Sequence, residues 1–174
     1  MIELPKLHNL ITKIGRHPAV TFEGTITALD PGETTGLTQI TKYQDKMVLR
    51  FLEQIPSWPL EDFIRACHTE RYFSVSRVVY EAYHVYSWRL DEHRFSEVPT
   101  IQIIGAIKVL CIQQGTPYSP QTAQVGKGFF TDDRLKALDM YFPGKPHARD
   151  SLRHAAQFLT FGAPASQDTN KQTK

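Results

Sequence analysis

Three carboxylates and two histidines stand out by type and position. Asp30 closes an alternating, β-branched run, Gly24-Thr-Ile-Thr-Ala-Leu-Asp30, directly before the breaker Pro31-Gly32. Glu81 closes the short apolar run Val78-Val79-Tyr80. Asp150 follows His147 by three residues and precedes His154 by four, so one helix face carries all of them. If neighbouring strands carry Asp30 and Glu81, and the last helix crosses their ends, then Asp30, Glu81, His147 and Asp150 converge as metal-ligand groups. An oxygen-rich set with few nitrogens favours Mg²⁺ or Mn²⁺ over Zn²⁺. Two such ions suit phosphodiester hydrolysis, one activating water and the other stabilising the leaving oxygen, and they offset the repulsion among clustered carboxylates. Each residue also has a plainer use. An Asp before Pro-Gly serves turn chemistry, Glu81 suits an exposed loop, His147 and Asp150 suit a helix start, and His154 suits a packed, hydrogen-bonded interior.

The elements that must position these groups follow from periodicity. Strands are predicted at Gly24–Asp30, Leu37–Tyr43 and Met47–Ile55, an antiparallel meander. A helix opens at Pro59, with Glu61 and Asp62 in its first turn, and runs to about Tyr72. The strand Arg77–Glu81, an irregular segment to about Ser96, a long helix over 98–114 and a brief strand at Thr116–Ser119 come next. Gln121–Phe130, with Gly126-Lys127-Gly128, is predicted as a loop. Thr131-Asp132-Asp133 caps a helix to about Tyr141, and Pro146 opens the final one, His147–Thr160. The order implies one α/β domain over 24–162, a five-stranded mixed sheet with helices on both faces. Residues 1–23 read as a lead-in, with Leu7, Leu10, Ile11 and Ile14 at helical spacing, and 163–174 as a polar, disordered tail.

Composition bounds the class. At 174 residues, 41% hydrophobic and 22% charged, the chain suits one globular domain with a real core. No apolar run is long enough to span a membrane, and no secretory leader is visible. Cys67 and Cys111 lack metal-finger spacing and are expected to be buried, reduced thiols of a cytoplasmic protein. The formal charge of +2 gives no sign of a nucleic-acid partner by itself. That sum includes the three carboxylates assigned to metal, so it understates the charge a polyanion would meet.

The motifs in order resemble those of RuvC-type Holliday-junction resolvases, and more the phage-encoded branch than the housekeeping one. Ala28-Leu-Asp30-Pro-Gly-Glu-Thr-Thr-Gly36 is similar to the first-strand motif, and Val78-Val-Tyr-Glu81 to the second acidic strand. Gly105-Ala106 sits in a helix like the family's long one, and Gly126-Lys-Gly128 resembles its Gly-rich segment. His147-Ala-Arg-Asp150-Ser-Leu resembles the closing motif. The likeness spans about Gly24 to Phe161. It implies a ribonuclease H-like fold and a dimeric, Mg²⁺-dependent endonuclease cutting branched DNA by paired nicks. It also implies metal ligands at Asp30, Glu81, His147 and Asp150, and products with 5′-phosphate and 3′-hydroxyl ends. The long lead-in and the aromatic, charged segment after Glu81 depart from the pattern. Other readings are a different ribonuclease H-type nuclease, acting on flaps or RNA–DNA hybrids, and a non-catalytic branched-DNA binder.

Nucleic-acid contacts are expected along that segment and the last helix. Tyr83, Tyr86 and Trp88 suit stacking on unpaired bases, while Arg89, Lys127, Arg149 and Arg153 suit phosphates. In the resembled family an aromatic residue here wedges into the junction centre. The helix over 98–114 is apolar almost all round, which points to a second copy packing on it; a homodimer would match the pseudo-two-fold symmetry of a four-way junction.

Overall fold

The computed structural model describes residues 1–14, 22–83 and 98–162. Its elements are β1 (Ile2–Glu3), α1 (Pro5–Ile14), β2 (Gly24–Asp30), β3 (Thr34–Tyr43), β4 (Lys46–Pro56), α2 (Leu60–Thr69), β5 (Arg77–Glu81), α3 (Pro99–Gln114), β6 (Tyr118–Gln121), α4 (Ala123–Phe129), α5 (Asp132–Ala137) and α6 (Pro146–Phe161). The strands form one mixed sheet of order β1-β4-β3-β2-β5-β6. β1, β4, β3 and β2 pair antiparallel in turn, and β2–β5 and β5–β6 are parallel.

The sheet thus has six strands where five were expected. The added one is the two-residue β1, which pairs Ile2 with Leu49 and Glu3 with Val48 at the edge of β4. Two residues cannot show an alternation, so periodicity passes over them. The meander is as expected, though β3 begins at Thr34, so the Thr-Thr-Gly of the first motif lies within a strand. The predicted loop at 121–130 instead ends β6 and forms the short helix α4, glycines included.

Alternation along the central strands divides the core in two. Ile26, Ala28 and Val79 face a cluster with Leu152, Ala155, Ala156 and Leu159 of α6 and Leu7 and Ile11 of α1. Leu29, Val78 and Tyr80 face the other cluster, with Phe63 and Cys67 of α2 and Ile103, Ile107 and Cys111 of α3. The N-terminal helix therefore packs on the α6 side, away from α3. Each of its fully buried leucine or isoleucine side chains contributes about 1.5–3 kcal/mol. Cys67 and Cys111 are free and buried, and burial pushes both thiols up to about 12. No helix among the described residues is long and apolar enough to cross a membrane.

Candidate active site

Asp30 and Glu81 end two adjacent parallel strands, each one step beyond the Leu29–Tyr80 pair. They share the parity of Ala28 and Val79, so both project to the face that α6 covers. Pro146 opens α6, where its fixed φ suits the first turn. The helix start is then drawn down onto β3. A Cβ on Gly36, the residue paired with Asp30, would overlap the His147 carbonyl, so only glycine allows this approach. Thr38 Oγ1 donates to the Ala148 carbonyl at 3.2 Å and meets Ser151 Oγ at 2.7 Å. The His147 backbone N–H donates to Gln54 Oε1 at 3.0 Å.

That seating brings the carboxylates to α6. His147 Nδ1 lies 2.9 Å from Asp30 Oδ2. His154 Nε2 lies 2.9 Å from Glu81 Oε2. Lys127, carried by α4, places Nζ 3.0 Å from Asp150 Oδ2 and 3.8 Å from Glu81 Oε2. Burial raises the pKa of Asp30, the hydrogen bond to His147 lowers it, and the charges of Glu81 and Asp150 raise it again; the net direction is upward. For Lys127, partial burial works against the charge. The hydrogen bond to Asp150 and the charges of Glu81, Asp150 and Asp30 outweigh it, so its pKa rises.

Among the described residues, no three His, Cys, Asp or Glu side chains are grouped to hold a metal as they stand. Each acid is engaged by the protein instead: Asp30 by His147, Glu81 by His154, and Asp150 by Lys127 and Arg153. The donor chemistry nevertheless fits a hard divalent cation. Three carboxylates face one cleft, burial first and then the charges of Glu81 and Asp150 lift Asp30, and the Lys127 ammonium stands between two of them.

The basic candidates divide. Lys127 is at the rim with its side chain 46% exposed. Arg149 pairs with other groups: Nε lies 3.4 Å from Asp132 Oδ1, the guanidinium lies 4.8 Å from the Tyr141 ring centroid, and Nη1 donates to the Phe142 carbonyl at 3.3 Å. Arg153 is buried, its Nε donating to the Phe130 carbonyl at 2.8 Å while the two Nη groups meet Asp150 and Asp132. Its donors thus serve protein acceptors, contrary to the expectation of a solvated, phosphate-facing arginine. Tyr83 is exposed at the end of the described stretch. Tyr86, Trp88 and Arg89 lie outside the described residues. Sequence reasoning did not anticipate Gln121, Gln54 or the inward turn of Arg153. His154 had the one available signal, its place four residues after Asp150.

No protein-family model matches the chain. No curated protein matches it either. Solved structures do. A Thermus thermophilus RuvC in complex with a Holliday junction substrate aligns over 83% of this chain and 98% of its own, at 15% identity and a TM-score of 0.59. A second structure of T. thermophilus RuvC aligns over 78% and 93%, at 16% identity and a TM-score of 0.55. The fowlpox virus Holliday junction resolvase aligns over 78% and 97%, at 16% identity and a TM-score of 0.51. The motif resemblance and the architecture agree: the chain has the ribonuclease H-like fold of the RuvC resolvases.

Proposed function

We propose that the protein is a structure-selective DNA endonuclease that resolves four-way junctions and other branched DNA by paired nicks. The observation that carries this reading is the meeting of Asp30, Glu81 and Asp150 at the ends of β2, β5 and the start of α6, in a fold shared with junction resolvases. Asp30, Glu81, Asp150 and His147 would hold two Mg²⁺ ions, with Mn²⁺ substituting. When bound, the ions supply an activated water and a stabilised leaving oxygen.

The chain's own residues prepare that chemistry. His147 orients Asp30 through its ring nitrogen. Lys127 withdraws from between Glu81 and Asp150 and takes a phosphate oxygen at the rim. Arg153 fixes one oxygen of Asp150 and leaves the other for the cleft. Tyr83, Tyr86, Trp88 and Arg89 border Glu81 in sequence and provide stacking and phosphate contacts with unpaired DNA. A second copy packs on α3, whose Ile101, Val109 and Ile112 are exposed. The buried free thiols suit a reducing cytoplasm, of the host for a phage-encoded protein.

A synthetic four-way junction and a matched linear duplex, each with Mg²⁺ and with chelator, test the proposal. Symmetric nicks in the junction alone, lost on chelation, are expected. Asp30→Asn should abolish cutting and keep junction binding. Equal inactivity on both substrates would sink the nuclease reading. Tight junction binding without cleavage would favour the non-catalytic binder, a reading prompted by the ammonium held between two carboxylates.

A further inference from the structure

His154 is fully buried, and both of its ring nitrogens meet polar side chains. Its two ring nitrogens bridge two side chains at the ends of neighbouring strands: Nε2 is 2.9 Å from Glu81 Oε2 and Nδ1 is 2.8 Å from Gln121 Oε1. Glu81 and Gln121 are themselves paired across β5 and β6, and the Ala82 N–H donates to the Gln121 carbonyl at 2.7 Å. The imidazole thus closes a ring of contacts linking α6 to both strands.

An ionised carboxylate only accepts hydrogen bonds, so Nε2 carries a hydrogen toward Glu81. Gln121 decides the rest. Its oxygen faces His154 Nδ1 at 2.8 Å, and its buried Nε2 has no hydrogen-bond partner among the described residues. An imidazole that keeps the hydrogen of Nε2 for Glu81 and is uncharged presents an open Nδ1, to which a Gln121 amide rotated by a half-turn would donate N–H. With the amide turned so, Gln121 sets from outside the cleft which ring nitrogen carries its hydrogen toward Glu81.

The ring also seats α4. A Cβ at Gly126 would come within 2.7 Å of His154 Nδ1, so glycine alone lets the helix lie against the imidazole. The next residue is Lys127, the ammonium between Glu81 and Asp150.

We propose that His154 is a positioning residue for Glu81, holding the carboxylate at one oxygen so that the other faces the divalent-cation site, with Gln121 setting the imidazole's orientation. This inference rests on the metal-ion reading above. Partners of this kind, behind a ligating group, are typically worth about 10- to 100-fold in metal affinity.

Mn²⁺ binding to the DNA-free protein, followed by electron paramagnetic resonance, separates the inference from that reading. Wild type, His154→Gln and His154→Phe are compared, with thermal unfolding as the check on folding. Glutamine retains an N–H near the position of Nε2, whereas phenylalanine keeps the volume and removes both hydrogen bonds. His154→Phe should weaken Mn²⁺ binding by about 10-fold or more, and His154→Gln should restore most of it. Equal affinity in folded wild type and His154→Phe, or equal weakness in Gln and Phe variants, overturns the proposal while leaving the metal site standing. A wild type that binds no Mn²⁺ overturns both. Should His154→Phe fail to fold, Gln121→Met decides: weakened Mn²⁺ binding supports the assignment, and wild-type affinity overturns it.

Discussion

Arg153 shows what one side chain does when its helix has no open face. Its guanidinium joins Asp150 to Asp132 and to the Phe130 carbonyl, so it holds α6, α5 and the Asp150 carboxylate in one arrangement. Removing one partner of a buried pair leaves the other charge exposed to a low dielectric. Asp132 keeps about 44% of its side-chain surface, which screens part of that cost. Arg153→Met is therefore expected to lower stability by about 2 kcal/mol in urea titration. Arg153→Lys should recover little, because a lysine cannot donate in three directions from a planar fork. An unchanged unfolding midpoint in Arg153→Met would assign the contacts no energetic role.

At the scale of elements, the approach of α6 to β3 sets the site. Gly36 sits beneath the His147 carbonyl, so Gly36→Ala must lift the helix start away from Asp30. Displacement of about 1 Å near a reacting centre costs on the order of 100-fold in rate. We expect that loss in kcat for junction cleavage, with the sheet's circular dichroism preserved; full activity in the alanine variant would show that the contact relaxes harmlessly. The strand that carries Asp30 was legible because alternation survives in its seven residues, and that of Glu81 because a short apolar run bounded by charges reads as a buried strand. So was the cap at Thr131, whose Oγ1 accepts from the Arg134 N–H at 3.3 Å. The side toward which Arg149 and Arg153 turn was not legible. α6 packs against β2, β3, β4, β5, α1 and α4, so spacing on one helix no longer separates a wet face from a dry one. The Gly126-Lys127-Gly128 run reads as loop by propensity, yet contact with a buried imidazole 28 residues away holds it as helix.

For the whole molecule, the two faces of the sheet have different fates. The α6 side is covered by α1, α4 and α5, whereas α3 on the other side leaves Ile112 69% and Val109 53% exposed. A second copy packing there predicts a dimer by sedimentation. Ile112→Glu should convert it to monomer with folding intact, and a wild-type monomer at all concentrations would remove the two-fold model. The order of the elements has a further consequence for synthesis. Asp30 and Glu81 leave the ribosome well before α6, which supplies His147, Asp150 and His154 and is the last described element. The sheet can pair earlier, but a nascent chain carries only half a cleft. On the nuclease reading proposed above, a chain assembled in that order stays chemically silent until its fold is closed, and vectorial translation would serve as the safety catch.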